Sequence, residues 1–131
     1  MDRAQSLEEL EGDRWGEPTF PSRLARECYQ LRRVPVKQLS AENLRLLVGQ
    51  KVGLEYLIPV ALDLLESDPL AGGDLYRGDL LQAVASVPRD FWASHPELRD
   101  RLVEIKIDLS ILADTIHREL LPALDGVEFP S

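Results

Sequence analysis

The chain has 131 residues but only one cysteine and two histidines. Cys28 alone cannot close an internal disulfide, which fits a reducing compartment. A zinc site needs Cys or His ligands at close spacing, and this sequence has none. No apolar run approaches the roughly 20 residues that cross a bilayer. The first twenty residues carry six acids and two bases and no apolar core, unlike a secretory leader. The expectation is a protein of the cytoplasm. There is no P-loop, no GxGxxG and no GxSxG. There is no internal repeat, no low-complexity segment, and no alternating pattern strong enough to argue for a sheet.

What the chain has in excess is acid: 23 Asp and Glu against 15 Lys and Arg, a net charge of −8. The charge is uneven. Residues 1–20 sum to −4, residues 21–39 to +4, residues 40–92 to −4 and residues 93–131 to −4. Such a field repels phosphates, so direct nucleic-acid binding is disfavoured and a basic partner is favoured. The same acidity also serves plain solubility. The length suits one domain over 1–131 that buries roughly two-thirds of its unfolded surface, without disulfide or metal.

The densest apolar run, Leu54 to Leu65, and the sharpest break, Asp68 to Asp79, adjoin one another. Before them, Ser6-Leu-Glu-Glu is a capping box for a short helix. Gly12, Gly16 and Pro18 follow quickly and leave an extended arm, so 1–21 reads as short helix plus arm, pinned by Trp15 and Phe20. Trp15 is also a candidate partner-facing aromatic. Leu24, Cys28 and Leu31 form one stripe of the next helix. Arg23, Arg26, Arg32, Arg33 and Lys37 make the one basic face, read as solvated. Cys28 on the stripe is read as a small buried hydrophobe, not a nucleophile.

Val34-Pro35 ends that helix. Ser40 caps AENLRLLVG, and Gly49 is expected to supply its left-handed stop. LEYLIPVALDLLES is apolar on most sides and belongs at the centre. Pro59 lies inside it, so the helix either kinks near Leu57 or starts later; the kinked form ending by Ser67 is the reading preferred. Asp74 or Asp79 is expected to cap the next helix. Leu80, Leu81 and Val84 face inward, Pro88 stops it, and Phe91 and Trp92 fold onto the core. Leu98, Leu102, Ile105, Leu109, Leu112, Ile116 and Leu120 then step by three or four. They predict a core-facing stripe about six turns long. Residues 125–131 read as a loose tail.

The fold expected is therefore all-α: a single compact bundle of about five to seven helices around one apolar helix. Candidate chemistry is thin. His95 precedes a proline, and His117 complements a helix C-terminus. Asp68, Asp74 and Asp79 fit no calcium loop. No catalytic, cofactor or metal residues are expected.

Across residues 7–105 the sequence resembles a bacterial family, the all-helical CdiI-type immunity proteins of contact-dependent growth inhibition (CDI). The segments are LEELEGDRWGEPTF at 7–20, CYQLRRVPVKQLSAENLRLLVGQKVGLEYLIPVALDLL at 28–65 and DPLAGGDLYRGDLLQAV at 68–84, then Phe91-Trp92. The order of WGEP, LRLLVGQ, GLEYLIPVAL and GDLYRGDLL carries the specificity. Arg77 stands where the pattern usually has proline, a surface-turn change. The likeness fades over the last 25 residues.

The resemblance implies a non-enzymatic cytoplasmic protein. It would bind and block the C-terminal toxin domain of a CDI effector delivered by neighbouring cells. Many such toxins are nucleases, and nucleases are usually basic, which would give the acidity a role in steering and phosphate mimicry. The alternative is an acidic helical adaptor for another protein. The candidate toxin-binding residues are Glu66, Asp68, Asp74, Tyr76, Asp79 and Asp90. Asp74 and Asp79 read equally as caps, and Tyr76 as packing. Glu11, Asp13 and Glu17 form a second acidic candidate patch.

Overall fold

The computed structural model describes residues 1–17 and 22–127. Its helices are α1 (Leu7–Glu11), α2 (Arg23–Leu31), α3 (Ala41–Gly49), α4 (Leu54–Ser67), α5 (Asp79–Ala85), α6 (Arg89–Ser94), α7 (Pro96–Thr115) and α8 (Leu121–Asp125). A 3-10 turn spans Val36–Gln38, and a π turn, Ile116–Leu120, carries α7 into α8. Among the described residues no strand forms, only an isolated bridge between Ser6 and Pro35. The all-α class is as expected. Phe20, and the tail beyond Val127, lie outside the described residues.

Serine starts three helices for the same reason: its hydroxyl accepts an amide that the first turn leaves unpaired. Ser6 and Glu9 exchange both bonds of a capping box, each at 3.2 Å. Ser22 accepts from Ala25 N–H at 3.0 Å, and Ser40 and Asn43 repeat the box. The end of α3 departs from expectation. Gly49 stays helical, and Lys51 takes the left-handed position with φ 60°. Lys51 N–H donates to Val48 O and Val52 N–H to Leu47 O, both at 2.9 Å, the paired bonds of a Schellman ending.

Helix α4 is the central element. Leu57, Ile58, Ala61, Leu62 and Leu65 are wholly buried, and the helix packs on α3, α5 and α7. It begins at Leu54 and runs through Pro59, so a later start is ruled out. Gly53 precedes it at φ 61°, and a Cβ there would sit 2.7 Å from both Leu7 methyls. Leu7, itself fully buried, thus brings α1 directly against the backbone at the start of α4.

Two further expectations fail. Arg32 belongs to no solvated face: it is 1% exposed. Its guanidinium donates to Glu11 Oε1 at 2.7 Å and to Asp13 O at 2.9 Å, and lies 4.1 Å from the centre of the Trp15 ring. A buried cation needs such partners, and here they fasten the N-terminal arm. Arg23, Arg26, Arg33 and Lys37 do remain exposed.

The six-turn stripe is the second failure. Leu98 and Ile105 are buried and Leu102 packs on the core, but Leu112 is 37% and Leu120 49% exposed. The reason is length. Fourteen residues of α4 extend about 21 Å, whereas the rod from Pro96 to Asp125 extends about 45 Å. The core ends halfway along the rod.

Candidate partner-binding surface

The break between α4 and α5 is a rigid loop, and one carboxylate makes it so. Asp79 is 3% exposed. It accepts from the amides of Gly73 at 2.5 Å, Leu75 at 3.0 Å and Tyr76 at 3.4 Å. Arg45 Nε of α3 stands 3.7 Å away. Burial by itself raises this carboxyl's pKa. The three amides and the guanidinium outweigh it and hold the group below the ordinary carboxylate range.

Glu42 of α3 supplies the second staple. It accepts Asp74 N–H at 2.6 Å and pairs with Arg45, whose hydrogen bond is the main cause of its lowered pKa. The two glycines allow this closeness. A Cβ on Gly72 would meet Tyr76 O at 2.8 Å, and one on Gly73 would meet Glu42 Cα at 3.0 Å. What the loop then holds in water is Asp74, Leu75, Tyr76 and Arg77, with Leu75 66% and Tyr76 50% exposed.

The six residues singled out from sequence divide accordingly. Asp74 and Tyr76 lie on the exposed tip. Asp79 lies beneath it, buried, and neither it nor Asp74 caps α5, whose cap position is Gly78 at φ 102°. Asp68 opens the loop, exposed, and accepts Leu70 N–H at 3.0 Å. Glu66, in the last turn of α4, is exposed and paired with Arg101 of α7. Arg101 also reaches Asp63 at 2.6 Å, and Asp63 reaches Arg3 at 2.5 Å. Asp90 stands apart in the first turn of α6, exposed. In the second patch, Glu11 is drawn to Arg32, while Asp13 and Glu17 are exposed.

Sequence reasoning missed Leu75, Glu42, Arg45 and Arg101. Leu75 had a signal, an apolar residue between GGD and RGD, and Glu42 and Arg45 stand three apart on one helix; their contacts to the loop, and that of Arg101 to Glu66, are made only by the fold. Cys28 is 6% exposed, and burial, aided by Glu27, raises its thiol pKa, which leaves it protonated and unreactive. Among the described residues no three His, Cys, Asp or Glu side chains gather as a metal site, and no helix is long and apolar enough to cross a membrane.

A family model described as CDI immunity proteins matches residues 9–102. The chain belongs to this family. No curated protein and no solved structure matches it. The family match runs from α1 through the stapled loop and stops at Leu102, where α7 is about to leave the core.

Proposed function

We propose that this CDI immunity protein acts in the cytoplasm as a stoichiometric binder. It neutralises the C-terminal toxin domain of its cognate effector and catalyses nothing itself. The observation that carries the reading is the stapled loop: two large apolar side chains held out in water on a fixed backbone. Preorganised aromatic and aliphatic tips lose little entropy on docking, which is how a small contact gains affinity. Asp68, Asp74, Glu66 and Asp90 add negative charge and Asp79 holds the frame. A basic toxin, such as a nuclease, meets an acidic surface that steers it and mimics its phosphate substrate.

The test is calorimetry with the C-terminal toxin domain of its cognate effector. Leu75→Ala with Tyr76→Ala should raise Kd at least tenfold, about 1.4 kcal/mol, with an unchanged circular dichroism spectrum. Asp68→Lys with Asp74→Lys should slow association and flatten its salt dependence. An unaltered Kd in both variants would remove this loop from the interface. Turnover of a nucleotide or ester substrate by the pure protein would end the binder reading altogether.

A further inference from the structure

One guanidinium ties together the two staples of the loop between α4 and α5. Four consecutive amides at its tip are engaged: Asp79 accepts from Gly73, Leu75 and Tyr76, and Glu42 accepts from Asp74. The two acceptors belong to different helices, α5 and α3, and both are acids. Like charges brought together disfavour one another. Arg45, one turn along α3 from Glu42, reaches both: its Nε donates to Glu42 Oε2 at 2.9 Å and lies 3.7 Å from Asp79 Oδ2. Among the described residues no other cation pairs with either acid. The hydrogen bond from Arg45 is the main cause of the lowered Glu42 pKa, and the charge of Asp79 acts the other way. Without the guanidinium the two carboxylates face each other alone. Glu42 has the more exposed side chain, 21% against 2% for Asp79, so it is the one free to swing into water, releasing the Asp74 amide.

We propose that Arg45 is a positioning residue for partner binding: it meets no partner itself, and it sets the affinity of Leu75 and Tyr76 by keeping both acceptors on the loop's amides. The inference rests on the loop being the toxin-binding surface, as proposed above. A tip that samples many backbone arrangements binds only from the competent ones, so the apparent Kd rises by the inverse of the competent fraction. The sign of the effect separates positioning from charge. Loss of a cation makes the chain more acidic, which by steering alone speeds association with a basic toxin. Loss of positioning weakens the complex instead.

The test compares Arg45→Gln with Arg23→Gln, which removes the same charge from a pair with Glu27 that shares no group with the loop. Calorimetry against the C-terminal toxin domain of the cognate effector should show Kd raised about five- to twentyfold by Arg45→Gln and not raised by Arg23→Gln. In the free protein, hydrogen exchange should quicken at Gly73, Asp74, Leu75 and Tyr76 in the Arg45 variant alone, with the amides of α4 unchanged. Arg45→Gln added to Leu75→Ala with Tyr76→Ala should weaken binding no further than the tip substitutions do, because positioning acts only through the tip. Should Arg45→Gln not fold, Glu42→Ala, judged against Glu27→Ala for the charge, should free the Asp74 amide to exchange and raise Kd about two- to fivefold. A variant that loosens the loop yet binds as tightly as the natural chain would overturn the proposal. So would an Arg45→Gln loss that adds in full to that of the tip, which would make Arg45 a direct contact. Either result beside a weakened tip variant leaves the loop reading standing, whereas a tip variant that binds normally overturns both.

Discussion

Leu62 and Leu124 are the same residue in the same kind of element, and they meet opposite fates. Leu62 is 0% exposed in α4, ringed by α3, α5 and α7. Leu124 is 58% exposed in α8, at the far end of the rod, away from the core of the described residues. The molecule thus has a body, through the first turns of α7, and an arm beyond it. The body's geometry is redundant: capping boxes, a buried Arg32, a buried Asp79 and a shared apolar core all specify one arrangement. The arm has helical hydrogen bonds and an apolar stripe, and little else. A short helix draws most of its stability from tertiary packing, so the arm should be the less stable of the two regions.

Four outcomes would sharpen or break this contrast. Leu57→Ala should cost the body about 2–5 kcal/mol in denaturant unfolding, whereas Leu124→Ala should change it by less than about 0.5 kcal/mol. A Leu124→Ala loss comparable to that of Leu57→Ala would erase the distinction. Asp79→Ala should cost about 2–4 kcal/mol, since three amides lose their acceptor. It should also speed hydrogen exchange at Gly73, Leu75 and Tyr76 and leave the arm untouched.

Acid should act on the body through the same groups. Asp79 and Asp63 are lowered because hydrogen bonds and nearby guanidinium groups outweigh burial, and Glu42 chiefly because of Arg45. Their folded forms take up protons less readily than the unfolded chain. The stability they contribute is therefore full above about pH 4 to 5 and is lost as pH falls through their lowered values. A midpoint of urea unfolding that held constant from pH 6 down to pH 3 would contradict it. Smallest, Gly49→Ala should stabilise the body by about 0.5–1 kcal/mol, because Gly49 is helical and its missing Cβ would meet nothing. A thermal melt that shifted downward would show that the helix end tolerates no side chain there.

Much of the body was legible because its signals are local. Ser6, Ser22 and Ser40 precede their helices by the logic of unpaired first-turn amides. The run from Leu54 to Leu65 is apolar on too many sides to sit anywhere but the middle. The stop at Ser67 follows from Asp68-Pro69. Gly49 misled because a Schellman ending is fixed by where the last inward residue falls, and the core holds Leu47 and Val48, which puts Lys51 in the left-handed seat. Asp79 misled because an acid directly after a glycine, in a glycine-rich break, looks like a surface turn. Its burial depends on Arg45, thirty-four residues earlier, and on amides that only the folded loop aims at it.

The arm misled for a third reason. A stripe in sequence says that a helix has an apolar face, and is silent on how far along that face its neighbour reaches. From Val103 to Ile111 apolar residues also alternate with polar ones. On a helix that pattern spreads apolar groups around the axis, which is why Ile107 and Ile111 stand 53% and 61% exposed.

Periodicity, caps and breakers are set by each residue and its near neighbours, so the sequence by itself determined the helices, their approximate ends and the greasy middle one. Which carboxylate went inside, which arginine became a core residue, and where α7 ran out of partner were decided by the tertiary structure. Those outcomes turn on distances between residues far apart in the chain, and no local pattern records them.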